Sequence, residues 1–304
     1  MGTMNGFSGH QVNTSVVLDT RAGGYILAGG AAVLFPVVRV LLDKLVFMPL
    51  GRASFFPSEA ELKKSDAKVD QKDLNNRLFK YKESFWKATV YTILVSLALY
   101  VSINESFFTD TRYFWLGCTE FPPCNYEVSR GLRLLYALEL GYYIQAVPTL
   151  MFWEVRRKDF WENMAHHIAT IGLITYSYQV NFVKVGAMVF LCHDVNDIFM
   201  EGAKMARYAE HKWLPTALFA VFMLSWFTSR IYYFPAYVIR SVYHEPIELV
   251  AKVYDINPHP HWEIFLTLLC FLFSLHLYWS YLILRIAWRQ LFGDGQAEDV
   301  REED

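Results

Sequence analysis

Charged residues are scarce in this chain of 304 residues: they make up 19% of it, whereas 54% is hydrophobic and 17% aromatic. That balance cannot cover the surface of a water-soluble domain. The charges nearly cancel, to a net charge of −2, which excludes a broadly basic protein with a nucleic-acid partner. Four cysteines are too few for a disulfide-rich scaffold, and no internal repeat is visible.

Long apolar runs are what the sequence has instead. The run at 262–284 is long enough to cross about 30 Å of hydrocarbon as an α-helix. We therefore predict an all-α, polytopic membrane helix bundle with about seven transmembrane helices. The apolar windows lie at 24–42, 87–104, 131–152, 162–180, 183–201, 214–238 and 262–288.

Lysine and arginine collect in alternate loops, and short basic loops stay on the cytoplasmic side of a membrane. The link after the first window carries nine of them, and the links after the third and fifth windows carry three each. We expect a lumenal segment at 1–22, a first transmembrane helix with a cytosolic linker at 23–79, and an acidic cytosolic tail at 291–304. Because residues 1–22 lack the pattern of a cleaved signal peptide, the first helix is the expected insertion signal.

Two features fit this orientation. Asn13 and Asn104 begin glycosylation sequons on the expected lumenal side, although Asn104 lies too near the membrane to be a good acceptor. Cys118 and Cys124 share one lumenal loop, where an oxidising compartment permits a disulfide. The alternative is two free thiols.

Ionisable residues interrupt the fourth and fifth windows. At the centre of a membrane helix such a residue costs about 2.5–3.5 kcal/mol, so it needs a partner or a task. If the two windows form an antiparallel hairpin that turns at 181–182, His166 lies level with Asp197 and Thr170 level with His193. The ionisable side chains expected near one depth are those of His166, His167, His193, Asp194 and Asp197.

Imidazoles beside carboxylates permit three interpretations. A histidine oriented by aspartate can act as a general base or as a nucleophile toward an activated acyl group. The same residues could instead be interhelical hydrogen bonds that only hold the bundle together. A metal site is the third: HxxHH-type di-iron spacing does not occur, but zinc held by His166, His193 and an aspartate fits by ligand type. We favour a site without metal.

Residues 153–208 resemble the Lag motif of ceramide synthases, the longevity-assurance family. A double histidine, an SYxxN turn, a VG pair, an HDxxD box and a following ExxK appear there in order. Flanking stretches at 80–91, 111–115 and 226–235 resemble other parts of the TLC domain, which would run over 80–290. The likeness is nearer to plant-type members than to animal ones. No room exists between the first two helices for the homeobox-like insert of many animal members, so no transcriptional role is implied.

The resemblance implies an enzyme of the endoplasmic-reticulum membrane that joins a fatty acyl group from acyl-CoA to a sphingoid base in ceramide biosynthesis. Acyl-CoA is then a substrate, and no cofactor or metal is implied. By position, the family's essential histidines fall on His166 and His167, and its HDxxD box on His193, Asp194 and Asp197. The bundle would enclose a lipid tunnel for both long-chain substrates.

Basic residues near the expected cytosolic mouth could attract the CoA phosphates, or could simply set the orientation of the helices. Glu139, Gln145, Arg230 and His276 are expected either to line the cavity or to pair with one another, with Arg230 taken as a substrate contact. The full set of predicted substrate-binding residues is Arg156, Arg157, Lys158, Lys204, Arg207 and Arg230.

Two mechanisms and one non-enzymatic alternative stay open. His166 could attack the thioester to form an acyl-imidazole that the amine then resolves, or the amine could attack directly with histidine as general base. Alternatively, a TLC-domain protein of this kind could bind or transfer lipids without reacting them. The sequence does not distinguish a monomer from a homo- or hetero-oligomer, nor does it give the acyl chain length.

Overall fold

The computed structural model describes residues 14–55 and 71–292, and all regular structure in these ranges is helical. The acceptor Asn13 and the acidic tail beyond residue 292 lie outside the described residues. The helices are α1 Thr14–Leu42, α2 Met48–Phe55, α3 Gln71–Ser102, α4 Arg130–Phe152, α5 Phe160–Val180, α6 Val183–Tyr208, α7 Leu214–Trp226, α8 Arg240–Pro246, α9 Lys252–Tyr254 and α10 His261–Phe292.

Each of the apolar windows coincides with a long helical segment, so a helical membrane bundle is confirmed. By length and composition, four segments of the described ranges can span a membrane: Ala22–Ser54, Lys72–Ser102, Leu214–Tyr254 and His261–Phe292. The remaining long helices, α4, α5 and α6, carry most of the buried polar residues discussed below. Seven crossings therefore stay a prediction.

One apolar window is only part of a longer helix. The window that was expected to end at 238 continues as helix to Tyr254. The backbone passes through wide π-helical turns at Phe227–Ile239 and Ile247–Ala251. Such turns rearrange the hydrogen bonding where Pro235 offers no N–H, so the proline does not end the helix.

Helix α6 lies at the centre of the bundle, packed lengthwise against α3 and α7. Helix α1 packs along α4, where Gly141 meets Ala28 and Ala31 so closely that an added Cβ would clash with both. Helix α10 closes the bundle against α5 and the π-helical segment after α7. Together these contacts surround the inner faces of α5 and α6 with protein.

Asn181 makes the tight turn between α5 and α6. Its backbone is left-handed, with φ of 66°, a conformation that asparagine tolerates better than most residues. Its Nδ2 donates to the carbonyls of Cys124 at 2.7 Å and Tyr126 at 2.9 Å. Cys118 and Cys124 form a disulfide, so the asparagine of the SYxxN turn ties the hairpin to a cross-linked loop. Asn104 is exposed just beyond the end of α3.

Replacing Asn181 tests this turn. Asn181→Gly keeps the backbone conformation and removes the two hydrogen bonds, at about 0.5–1.5 kcal/mol each. Asn181→Ala removes the same bonds and adds about 1–2 kcal/mol of backbone strain. We expect the melting temperature of the purified protein to fall in the order wild type, Gly, Ala. Equal melting temperatures for the two variants would contradict a role for the left-handed backbone.

Candidate active site

Four histidines from three helices lie together in the bundle. His166 and His167 come from α5, His193 from α6 and His276 from α10. The ring centroids of His193 are 6.3 Å from His166 and 4.8 Å from His276. The structure thus brings the double histidine and the HDxxD box together, as the hairpin register predicts, and adds His276 from a helix remote in sequence.

Both ring nitrogens of His193 are occupied. Nδ1 lies 2.7 Å from the carbonyl oxygen of Val189, which can only accept, so Nδ1 carries the proton. Nε2 lies 2.9 Å from Nε2 of His276 and must accept a hydrogen from it when His193 is neutral. His193 therefore orients its neighbours, and it has no free nitrogen for a proton from a substrate while these bonds persist. The sequence alone did not distinguish this task from direct proton transfer.

His166 is placed differently. Its ring stacks near that of His193 and lies perpendicular to the ring of Trp279, but its Nδ1 has no hydrogen-bond partner in the described part of the chain. Nδ1 of His167 is likewise unpartnered. Of the two, His166 borders both of the cavities described below, whereas His167 borders one.

Arg230 binds the second aspartate of the HDxxD box. Its Nη2 donates to both carboxylate oxygens of Asp197 at 3.1 Å and to the carbonyl of His193 at 2.5 Å. Its guanidinium also lies 4.3 Å from the ring centre of Trp226. The buried charge of Asp197 is thus compensated inside the bundle. Arg230 borders the cavity, but its charge already has a partner.

The first aspartate of the box has no such partner. Asp194 is buried, and its Oδ2 lacks a hydrogen bond. The group that its carboxyl meets within hydrogen-bonding range is the carboxyl of Glu139 on α4. Glu139 is fully buried, and no donor reaches either of its oxygens. Gln145, another polar residue of α4, accepts a hydrogen bond at its Oε1 from the hydroxyl of Thr149, at 2.9 Å.

His166 and Tyr143 line both of two cavities in the bundle. The wide cavity extends toward the start of α5 and the end of α6, and its wall includes His167, Asp197 and Arg230. The narrow cavity extends toward the turn between α5 and α6. Beyond a polar end at Thr170, His193 and Asp194, its lining is mostly apolar: Trp115, Leu173, Ile174, Phe182, Val185, Val189, Phe190, Val242, Phe265, Leu269 and Leu272.

Three of the predicted basic residues reach the rim of the wide cavity: Arg157, Lys204 and Arg207. Arg156 and Lys158 are exposed and point elsewhere, because alternate residues of this non-helical link face opposite sides. Arg156 lies over the ring of Phe160. Only one of these three consecutive basic residues therefore borders the cavity.

The rim also carries acidic residues that the sequence did not reveal. Lys87 of α3 bridges Glu83, at 3.2 Å, and Glu154, at 2.6 Å. Arg157 also binds Glu83, and Lys204 binds Glu201 at 2.7 Å. The rim is a network of ion pairs that ties the link before α5 to α3. Among the described residues, no three His, Cys, Asp or Glu side chains are arranged to hold a metal ion.

Comparison with known proteins places this site in a family. Residues 80–285 match the TLC domain. ASC1-like protein 1 of Oryza sativa subsp. japonica is 37% identical to this chain over 90% of it and 86% of its own length. Two proteins of Arabidopsis thaliana, ceramide synthase 1 LOH3 and ceramide synthase LOH1, are each 36% identical over 90% of the chain and 88% of their own length.

The fold and these matches define a class of protein: polytopic helical membrane proteins with a TLC domain. Within that class, the chain belongs to the ceramide synthase family, with 36% identity to the two Arabidopsis thaliana ceramide synthases over 90% of this chain and 88% of theirs.

Proposed function

We propose that this protein is a sphingoid-base N-acyltransferase of the endoplasmic-reticulum membrane, with fatty acyl-CoA as acyl donor. The observation that carries the proposal is the place of His166, which borders both cavities and has an unpartnered Nδ1. A thioester bound where His166 lines the cavities would put its carbonyl carbon beside an imidazole whose Nδ1 makes no hydrogen bond with the described residues. A protein that only binds lipid has no need for such a nitrogen.

The two cavities suit the two parts of an acyl-CoA. The narrow cavity, apolar beyond His166, suits the fatty acyl tail. The wide cavity suits the polar CoA end, because Arg207 and the ion-paired Arg157 and Lys204 lie at its rim. In this proposal the rim faces the cytosol, where acyl-CoA is soluble, and the turn between α5 and α6 faces the lumen, in line with the distribution of basic loops.

The proposed reaction has two steps. A nitrogen of His166 attacks the thioester carbonyl, the C–S bond breaks, and CoA leaves as a thiolate that takes up a proton. The amine nitrogen of the sphingoid base then attacks the acyl-imidazole carbon, an amide bond forms, and His166 is released. His193, held by Val189 and His276, keeps the neighbouring side chains in place. Direct attack by the amine, with His166 as general base, is the competing scheme.

Trapping separates the two schemes. We expect purified protein incubated with acyl-CoA alone to gain the mass of one acyl group and to release one equivalent of free CoA. Intact-mass spectrometry and a thiol assay under single-turnover conditions measure these two quantities. The variant His166→Ala is the matched control and should show neither. Amide formation by wild-type protein without any adduct or early CoA release would favour direct attack.

The activity itself is tested with sphinganine and a panel of acyl-CoAs. Amide product that depends on both substrates is the expected result. Binding of either lipid with no product, in protein that is monodisperse in detergent or nanodiscs, would instead support the non-enzymatic lipid-binding alternative. The same panel reports the preferred acyl chain length.

A further inference from the structure

Glu139 has no place in the mechanism above, yet it is one of the most deeply buried ionisable residues in the described chain. Its carboxyl lies within hydrogen-bonding range of that of Asp194, and among the described residues no donor binds either of its oxygens. Two carboxylates in contact inside a bundle cannot both be ionised, because like charges repel strongly where water is excluded. One shared proton resolves the conflict and leaves the pair with a single negative charge.

The two aspartates of the HDxxD box therefore differ. Asp197 is bound by Arg230, and its charge is already balanced. Asp194 borders the narrow cavity beside His166, with Oδ2 unpartnered, and its charge has no bound cation. An ammonium group that reached the polar end of this cavity, beside His166, would find its counter-charge at Asp194. Other charged or titratable groups around the pair are Tyr91, Tyr136, Tyr143, His166, His193, Asp197 and Arg230.

We propose that the Glu139–Asp194 carboxyl pair binds the ammonium group of the long-chain amine substrate and takes a proton from it, with Asp194 as the group in contact and Glu139 as its positioning residue. The inference rests on the proposed function. It names the acceptor of the proton that a protonated amine must lose before its nitrogen can attack an acyl carbon.

The step balances as follows. The ammonium gives one proton to the singly protonated pair, which becomes two neutral carboxyls, and the free amine forms its bond to the acyl carbon. A second proton leaves the nitrogen with the departing group, either the CoA thiolate or the imidazole of His166. The extra proton then returns from the pair to solvent, so the pair is ready for another cycle.

Variants at Glu139 test the pair. Glu139→Gln supplies an N–H donor to Asp194 and keeps the single negative charge, so we expect the KM for sphinganine to stay within about threefold of wild type. Glu139→Leu leaves a buried carboxyl without a donor, which favours its neutral form. For this variant we expect the KM for sphinganine to rise about tenfold or more, with little change in the KM for acyl-CoA.

The rate–pH profile adds a readout that a purely structural role would not move. Because the lone carboxyl of Glu139→Leu ionises only at higher pH, the acid limb of its profile should shift upward, and raising the pH should recover activity. Ser102→Ala, which removes another fully buried and unpartnered polar atom from α3, is the control and should leave both KM values unchanged. An unmoved acid limb and an unchanged sphinganine KM in Glu139→Leu would overturn the proposal.

A measurement on the unmodified protein covers the case in which the variants fail to fold. An apolar carbodiimide adds to protonated carboxyls, so we expect it to label Glu139 or Asp194, as located by peptide mass spectrometry. Sphinganine should protect the pair, whereas a long-chain alcohol of equal length should not. Equal labelling with and without the amine would refute amine binding. If wild-type protein forms no amide at all, the proposed function fails, and the protection result still decides whether the pair binds an amine.

Discussion

Replacing His166 by alanine is expected to lower N-acyltransferase activity by at least about three orders of magnitude, because the imidazole is the proposed attacking group. His166 is the histidine that borders both cavities, and its Nδ1 is held by no other group. The loss should appear in kcat, measured with sphinganine and a radiolabelled or fluorescent acyl-CoA. Binding of acyl-CoA should change little, since the proposed sites for its tail and its CoA end lie in the two cavities and not at the imidazole.

Two further variants make this result interpretable. His166→Asn keeps a polar side chain in place of the ring and should be as inactive as alanine, which separates lost chemistry from an empty space. His211→Ala changes an exposed histidine outside the cavities and should retain wild-type activity. Turnover by His166→Ala above about a tenth of the wild-type rate would contradict the assignment, whatever the melting temperature of the variant.

The sequence is informative about this site where the residues are close along the chain. Alternating apolar windows and the short link at 181–182 fix α5 and α6 as an antiparallel hairpin, and helix geometry then sets His166 near the HDxxD box. The fold class follows from the same apolar runs, because backbone polar groups in hydrocarbon must be satisfied within helices.

The sequence could not predict which side chains from distant helices contact the double histidine and the HDxxD box. His276, Arg230 and Glu139 were visible as polar residues in apolar runs, but their pairing depends on how α10, the segment after α7, and α4 rotate against α6. Hydrophobic windows in a membrane protein leave that rotation undetermined, since lipid-facing and protein-facing surfaces are both apolar. The rim shows the same limit: Lys87 and Glu154, which form an ion pair, are 67 residues apart.

These pairings change the meaning of the motif. The HDxxD box reads as three equivalent polar residues, yet each has a different environment in the fold. His193 is bound on both nitrogens, Asp197 is neutralised by Arg230, and Asp194 shares its site with another carboxyl. The spacing of three between the aspartates separates them along one face of α6, so that one borders the wide cavity and the other the narrow cavity.

The buried ion pair of Arg230 and Asp197 predicts that replacing either residue alone will strongly destabilise the protein. Arg230→Leu leaves the Asp197 carboxylate in the bundle without its cation and removes a donor from the carbonyl of His193. Breaking a buried ion pair from one side costs about 3–5 kcal/mol. We therefore expect the melting temperature of Arg230→Leu to fall markedly and that of Asp197→Leu to fall by a comparable amount. Size-exclusion chromatography of heated samples measures both melting temperatures.

Replacing both members should undo much of the loss. In the double variant Arg230→Leu with Asp197→Leu no unpaired charge remains, and a buried ion pair exchanged for apolar groups is often close to neutral in stability. The double variant should thus melt above either single variant, with a coupling energy of about 1–3 kcal/mol. Thr228→Val, on the exposed side of the same segment, is the control and should leave the melting temperature unchanged. Additive losses would show that the two residues act separately, and that Asp197 does not depend on Arg230 for its charge.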